Sequence, residues 1–256
     1  GALAALTPFL GWRGVLQLGA GISAALACAA FLVRDTREAR NDAASPLAGF
    51  ASWFKRRRAV LFILFVLIYK MGDFALTPMV KPYWVDRGFT AAEIGTVTTV
   101  IGLSFLIAGA IAGGIFLARF GLMAGLLWLG LLQMLSNCGY ALAASFDLPR
   151  SALYAATIVE SFTAGLGTAA FLAFLMSVCD REHAATQFAM LTAIFGLSRS
   201  VIGSFSGVAA QSFGYAQYFW ITVALGIPGL LLLPFMREQL RQTAERPATS
   251  DVVMGG

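Results

Sequence analysis

Four ionisable side chains stand inside long apolar segments of the chain: Lys70, Asp73, Glu160 and Arg199. Charged groups are costly within a membrane and commonly serve a function there, so these four are the first candidates for chemistry. The carboxyl groups of Asp73 and Glu160 could take up and release protons. The cations Lys70 and Arg199 could bind an anionic substrate, with the Arg199 guanidinium holding a carboxylate through two parallel bonds. We predict that all four side chains converge on one water-filled cavity near the membrane midplane.

Each of these charges also has a purely structural interpretation. Lys70 and Asp73 are three residues apart and share a helix face, so they could form an ion pair that only fixes helix packing. Glu160 could bond to a neighbouring helix, and Arg199 could neutralise either carboxylate. Two acidic and two basic groups allow mutual neutralisation, and the sequence leaves both interpretations open.

A second group of candidates consists of uncharged polar side chains. Gln133, Asn137 and Tyr140 follow i, i+4, i+7 spacing within one apolar segment, so they would line one face of a helix. Such a stripe could hydrogen-bond a sugar or hold helices together, and both interpretations are equally supported. Tyr69 and Gln187 are weaker candidates for substrate binding, since both could lie at a helix surface.

Metal and nucleotide sites have little support in the sequence. The only histidine is His183, and the three cysteines, an odd number, lie in apolar runs without ligand spacing. The sequence contains no phosphate-binding loop and no nucleophile motif. We therefore expect no cofactor, no metal, no catalytic residue and no enzyme activity.

Composition identifies the elements that must carry these side chains. Hydrophobic residues make up 59% of the 256 residues, charged residues only 12%, and the mean hydropathy is +0.78. Soluble domains carry about 25% charged residues, and a chain this apolar and aromatic is not disordered. The formal charge of +5 does not indicate nucleic-acid binding, because seven of the 18 basic residues stand together within residues 34–58, beside an apolar segment. The chain is predicted to be a polytopic membrane protein.

A membrane-spanning helix needs about 20 mostly apolar residues, and seven stretches meet this requirement. The fold class is therefore predicted as an all-α helical bundle with seven transmembrane helices. They are expected at residues 14–33, 59–80, 91–117, 122–145, 152–179, 186–210 and 216–236. Twelve basic residues then fall on one side of the membrane and four on the other, which makes the segment 34–58 and the C-terminus cytoplasmic.

The first and last predicted spans share an outline at an offset of 203 residues. A glycine followed by an aromatic residue precedes both, and a basic–acidic pair follows both, although any two apolar helices with such flanks would look alike. The offset equals the length of a six-helix bundle, so each span could close one half of a two-half transporter. We expect residues 1–33 to end one half, 34–58 to link the halves, 59–236 to form the second half, and 237–256 to be a disordered tail. Because the chain opens with Gly1 and an apolar run, we interpret it as part of a longer, truncated protein.

The turn at residues 113–121 (GGIFLARFG) carries a family signature. It resembles the cytoplasmic turn between the second and third helices of each half in the major facilitator superfamily, which reads Gly, then Asp-Arg, then Gly. Gly114, Arg119 and Gly121 match the pattern, whereas Ala118 replaces its Asp, so any salt bridge of that Asp is absent. The resemblance implies a role in gating for this turn.

Four further stretches resemble the AmpG-type muropeptide permeases, which are related to the acetyl-CoA transporters. They are residues 69–73 (YKMGD), 133–140 (QMLSNCGY), 165–171 (GLGTAAF) and 185–191 (ATQFAML). The resemblance covers most of residues 34–237 and implies proton-driven import of anhydro-muropeptides from the periplasm across the bacterial inner membrane. It further implies that the N-terminal half of the transporter is absent from this chain.

Other functions fit the sequence less well. An acetyl-CoA or other organic-anion carrier of the same superfamily would need the same cations, so the sequence separates it poorly from a muropeptide permease. A seven-helix receptor fits the number of spans, but the last span has no lysine to hold retinal. A membrane enzyme would need a His, Cys or paired acidic cluster at a membrane face, and the sequence has none there.

Overall fold

The computed structural model describes residues 13–14, 17–25, 59–179 and 183–237. The chain divides into two compact units, residues 1–44 and 45–256. In the first unit, residues 17–25 are helical, within the first predicted span. The predicted linker at 34–58 and all but the first residue of the predicted tail lie outside the described residues. The division into transporter halves therefore stays a prediction.

The second unit is helical throughout its described part, with no strand among those residues. A helix satisfies every backbone polar group within its own segment, which lipid demands of an apolar span. The helices are α1 (Ala59–Ile68), α2 (Met71–Asp86), α3 (Ala91–Ile94) with the π-helix Gly95–Ile101, α4 (Gly102–Ser136), α5 (Cys138–Ser145), α6 (Arg150–Ser177) and α7 (Ala184–Leu231). The predicted all-α membrane class is confirmed.

Four continuous helical stretches are long and apolar enough to cross a membrane: Ala59–Asp86, Ala91–Ser145, Arg150–Ser177 and Ala184–Arg237. The second and fourth hold 55 and 54 residues, so each would be about 80 Å long if straight, against a hydrocarbon core of about 30 Å. Each is broken by one glycine, Gly121 (φ 80, ψ 168) or Gly214 (φ 74, ψ 159). This backbone region is essentially restricted to glycine.

The chain reverses direction at both glycines. Residues 102–120 run parallel to α6 and residues 122–145 run antiparallel to it. The contact pairs are Gly102–Ser161 and Gly113–Leu166 for the first, and Gly125–Ala170 and Tyr140–Thr157 for the second. Likewise, residues 184–213 run parallel to α1 and α2, and residues 215–237 run antiparallel. The pairs are Ser198–Leu67 and Ser206–Ala75, then Gly229–Tyr69 and Tyr215–Asp86.

The described part of the second unit therefore forms six membrane-crossing segments, at residues 59–86, 91–120, 122–145, 150–177, 184–213 and 215–237. The corresponding predicted spans agree within a few residues. The largest difference is the first segment, which was expected to end at residue 80. It continues to Asp86 because Tyr83 and Trp84 bury their rings in the bundle.

The bundle has two ends with a polar layer between them. The Gly121 end carries Ala59, the Gly121 turn and Ser177; the Gly214 end carries Asp86, the turn at 146–149 and Gly214. An apolar cluster fills each end, the first rich in phenylalanine and the second built around Trp84, Tyr140 and Phe219. Lys70, Asp73, Gln133 and Asn137 lie between these two clusters.

Candidate functional site

Two helices are interrupted where they enter the polar layer. Tyr69 and Lys70 form a turn between α1 and α2, and Lys70 caps α2 with φ −104 and ψ 15. Asn137 separates α4 from α5. Breaks of this kind commonly mark functional positions in helices. Lys70 and Asn137, which lie at these two breaks, both belong to the predicted site.

The Asp73 carboxylate is the centre of the layer. It accepts hydrogen bonds from the side-chain amides of Gln133 and Asn137, the latter at 3.4 Å, and it pairs with the Lys70 ammonium, with Nζ and Oδ2 3.4 Å apart. Asp73 is 16% exposed and Lys70 only 6%. The predicted pairing of Lys70 with Asp73 is present, and Asp73 also joins two helices.

Helix α6 contacts both Lys70 and Gln133 from the opposite side of the polar layer. The Lys70 ammonium donates to Thr168 Oγ1 at 3.0 Å. The neighbouring Gly167 leaves room for Gln133, whose Oε1 would lie 1.8 Å from any Cβ at that position. Sequence reasoning missed both contacts, because a glycine and a threonine in an apolar span give no periodic signal. Only the family resemblance of residues 165–171 pointed to this stretch.

The predicted stripe of Gln133, Asn137 and Tyr140 is buried. The exposed fractions of these side chains are 4%, 1% and 0%. Tyr140 exchanges a hydrogen bond with Thr157 Oγ1 at 2.8 Å, so it faces α6 and not Asp73. The Gln133 and Asn137 amides donate to Asp73 and Tyr140 bonds to Thr157, so the stripe links helices in this structure, and its role in substrate binding stays a prediction.

Glu160 lies beside this cluster without joining its hydrogen bonds. The side chain is partly buried on α6, where Ser161 is its neighbour in the sequence. No salt bridge joins Glu160 to a basic residue in the described part of the chain, although it interacts through space with Lys70 and Asp73. The structure thus brings three of the four predicted ionisable groups together.

Arg199 does not join them. Its side chain is exposed on α7, and none of its described contacts reaches Lys70, Asp73 or Glu160. The neighbouring Ser198 bonds to the Leu67 carbonyl at 2.6 Å, so it is Ser198 that faces the bundle. Successive helix residues differ in direction by about 100°, which turns Arg199 away. The expectation that all four groups share one cavity is corrected for Arg199.

The remaining predicted residues lie nearer the Gly121 end. Gln187 is completely buried, and it precedes Ser198 by eleven residues, which places it about 16 Å farther toward that end. It is therefore not at a helix surface. In the predicted gating turn, Gly121 makes the reversal, while Gly114 and Arg119 are exposed. Nothing in the described contacts tests a gating role.

A small cavity opens on one side of Asp73. Its volume is about 20 Å³, enough for a water molecule. The side chains of Asp73, Gln133 and Asn137 line it together with Tyr69 and Gly226. The Asn137 side-chain oxygen is buried without a hydrogen-bond partner in the described residues. Of the four predicted ionisable groups, only Asp73 lines this cavity.

The donor set does not suit a metal. Among the described residues there is no group of three His, Cys, Asp or Glu side chains that could hold a metal ion. The layer instead combines one ammonium, two carboxylates and several amides and hydroxyls. Such a set can move protons and bind polar groups inside a membrane.

Comparison with known proteins identifies relatives of the same kind. Residues 62–252 match the Major Facilitator Superfamily. The chain is 32% identical over 240 residues to the anhydromuropeptide permease of Escherichia coli (strain K12). This alignment covers 92% of the chain and 49% of the relative. It is 28% identical over 191 residues to "Putative transporter AmpG 4" of Rickettsia felis, covering 75% and 46%. An uncharacterised protein of Haemophilus influenzae is 35% identical over 210 residues, covering 78% and 49%.

The chain spans about half the length of these curated relatives. The superfamily match begins within the first of the six segments and includes the whole polar layer. The resemblance to AmpG-type permeases expected from the sequence is thus confirmed. The chain belongs to the Major Facilitator Superfamily, and the curated relatives that it resembles include AmpG-type permeases.

Proposed function

We propose that this chain is the C-terminal part of a secondary transporter that imports anhydro-muropeptides across the bacterial inner membrane. The observation that carries the proposal is the match along 92% of the chain to an anhydromuropeptide permease. The missing N-terminal half, the lipid bilayer and a small anionic substrate are its partners. Import is coupled to protons, and the C-terminus is cytoplasmic.

The polar layer supports transport by this protein. Lys70, Gln133 and Asn137 surround Asp73 at the middle of the bundle, where a mere packing contact would be made more cheaply by apolar side chains. We assign Asp73 and Glu160 to proton coupling. Substrate binding is assigned to Lys70, Arg199, Gln133, Asn137, Tyr140 and Gln187, and gating to Gly114, Arg119 and Gly121.

Arg199 supports an anionic substrate most directly. A permanently charged guanidinium on an exposed span would cost at least ~2.5 kcal/mol if it faced lipid. We therefore infer that the face of α7 that carries Arg199 borders a wet path between the two halves, where a cation can meet the carboxylates of a muropeptide. Lys70 meets the substrate only in a state in which its pairing with Asp73 loosens.

The test uses the full-length protein in proteoliposomes. Uptake of a labelled anhydro-muropeptide is measured with and without an inward proton gradient. We expect accumulation only with the gradient, and competition by unlabelled muropeptide but not by acetyl-CoA. Accumulation of acetyl-CoA in its place would move the protein to the organic-anion carriers. Absence of muropeptide uptake under both conditions would contradict the proposal.

For the residue assignments, Arg199→Ala should weaken substrate binding, since it removes the exposed cation. Arg199→Lys keeps the charge but not the paired geometry, and we expect it to recover only part of the affinity. Ser200→Ala is a matched control on the neighbouring position. Unchanged binding in Arg199→Ala would remove Arg199 from the site without affecting the transporter assignment.

A further inference from the structure

The positive and negative charges of the polar layer do not balance. Within the described part of the bundle, it holds one cation, Lys70, and two carboxylates, Asp73 and Glu160. Arg199, the other cation expected there, is exposed elsewhere on α7. With both carboxylates ionised, the layer carries one uncompensated negative charge, which is costly in a membrane interior. One additional positive charge is therefore required.

The contacts decide which carboxylate has the cation. The Lys70 ammonium lies 3.4 Å from Asp73, and the amides of Gln133 and Asn137 donate to the same carboxylate. Charge-assisted bonds of this kind are stronger than neutral ones. The remaining described bond of the ammonium goes to the Thr168 hydroxyl, not to Glu160. Asp73 thus has an ammonium and two amides as hydrogen-bond donors. Among the described residues, Glu160 is the carboxylate without a cation of its own.

No other described charged group can compensate Glu160. From α2, Lys70 and Asp73 face it, and Lys70 is already paired. From α5, the phenol of Tyr140 interacts with it and is hydrogen-bonded to Thr157. Residues 95–118, which pack along α6, contain no titratable side chain. Among the described residues, the cation that interacts with Glu160 is therefore the ammonium already paired with Asp73.

We propose that Glu160 alone carries the transported proton, while Asp73 serves as the fixed counter-ion that holds Lys70. This inference rests on the proposed transport function and narrows the proton-coupling role, assigned above to Asp73 and Glu160 together, to one of the two carboxylates. The proton adds to a Glu160 carboxylate oxygen to give the neutral acid, and its release on the other side restores the carboxylate. No bond other than that O–H forms or breaks.

A proton suits this position better than a metal cation. A bound cation needs several ligands, and among the described residues no group of three His, Cys, Asp or Glu side chains could supply them. A proton needs a single carboxylate oxygen. Sodium coupling is accordingly the outcome that would contradict this part of the proposal.

The experiment compares two variants of the full-length protein in proteoliposomes, Glu160→Gln and Asp73→Asn. We expect Glu160→Gln to lose gradient-driven accumulation down to the level seen without a gradient. It should retain substrate exchange, which moves no net proton. Asp73→Asn frees the Lys70 ammonium and should slow both reactions together. Glu93→Gln, at the Gly214 end, is the matched control and should behave as the unaltered protein.

A second measurement uses the same two variants. Acid-minus-neutral infrared difference spectra of the purified protein should contain a carboxylic acid band that is lost in Glu160→Gln and retained in Asp73→Asn. A band lost only in Asp73→Asn, or exchange retained by Asp73→Asn together with lost accumulation, would overturn the assignment. So would accumulation that follows a sodium gradient. A glutamate band in a protein that takes up no muropeptide would instead contradict the proposed function and leave the proton site standing.

Discussion

The two ends of the bundle are held together by different forces. At the Gly214 end, the turns after α2 and α5 are tied reciprocally: Arg87 pairs with Asp147 and donates to the Leu148 carbonyl at 2.7 Å. Arg150 donates in return to the Gly88 carbonyl at 2.8 Å. At the Gly121 end, contacts between buried aromatic rings hold the helices together. Phe174 is fully buried, with its ring edge-on to Phe65 at 4.8 Å.

The basic residues of the two ends differ in the same way. Both arginines at the Gly214 end have acidic partners, since Arg150 also lies 3.4 Å from Glu93. At the Gly121 end, Arg119 and Arg237 are exposed and form no ion pair with another described residue. Directional bonds fix the spacing of the turns, whereas packed rings resist separation but tolerate sliding. We infer that the Gly214 end is the more rigid of the two.

The largest expected effect is at the Gly121 end. Phe174→Ala should lower the free energy of unfolding by about 3 kcal/mol, because the buried ring leaves a cavity among Phe62, Phe65 and Phe171. Thermal unfolding of the detergent-solubilised protein measures this. Phe120→Ala, an exposed ring on the same end, is the control and should change little. Equal effects in both variants would show that burial does not stabilise this end.

The next effect should be the same at both ends. Gly121→Ala and Gly214→Ala each force a side chain into a glycine-only backbone conformation, at a cost of about 1–3 kcal/mol. No atom lies within 4 Å of the added Cβ at either position, so backbone strain is the whole effect. Gly114→Ala is the control, since that glycine is helical and equally open. A clear difference between the two variants would show that the backbone strain is not the same in the two turns.

At the Gly214 end, we expect one substitution to change the free energy of unfolding only slightly and to change local amide hydrogen exchange strongly. Arg87→Ala removes an exposed ion pair and one bond to a carbonyl, together worth about 1 kcal/mol. Amide hydrogen exchange at residues 146–149 should accelerate, while exchange at residues 119–123 stays unchanged. Without the substitution, the turn at 146–149 should exchange more slowly than the Gly121 turn. The reverse order would contradict the inferred difference in rigidity.

The smallest effect should come from Glu93→Gln. It weakens the pairing with Arg150, whose side chain is 53% exposed, and such exposed pairs stabilise little. The capping of α3 is retained, because a glutamine oxygen can accept the Thr90 N–H as the glutamate does. We expect no resolvable change in thermal unfolding at low or high salt. A salt-dependent loss of stability would show that the ionic contacts at this end are stronger than their exposure suggests.

Sequence reasoning predicted well what depends on local periodicity. The membrane-crossing segments follow from apolar length, and the pairing of Lys70 with Asp73 follows from their three-residue spacing on one helix. It could not say which neighbour each helix face meets. The spacing of Gln133 and Asn137 places them on one face, but their shared partner Asp73 follows only from the way their side chains meet across the bundle. Thr168 was missed for the same reason.

Arg199 illustrates the opposite limit. The cost of a charge in lipid suggested an inward face for Arg199, yet serines stand on both sides of it, at Ser198 and Ser200. With polar residues on several faces, the periodic signal cannot choose among them. The packing of Ser198 and Ser206 onto the carbonyls of α1 and α2 decides the orientation, and no property of the sequence alone contains that choice.

The interruption at Tyr69 and Lys70 has an electrostatic consequence. Because a new helix begins at Met71, Asp73 stands in the first turn of α2 instead of the middle of one long helix. The aligned peptide dipoles of α2 place partial positive charge on that turn, which favours an anion there by about 0.3–1 kcal/mol and disfavours the ammonium beside it. A continuous helix would place Asp73 where the dipoles of its neighbours largely cancel. The break therefore gives this bundle a fixed field at its centre, directed at the residue that holds the lysine.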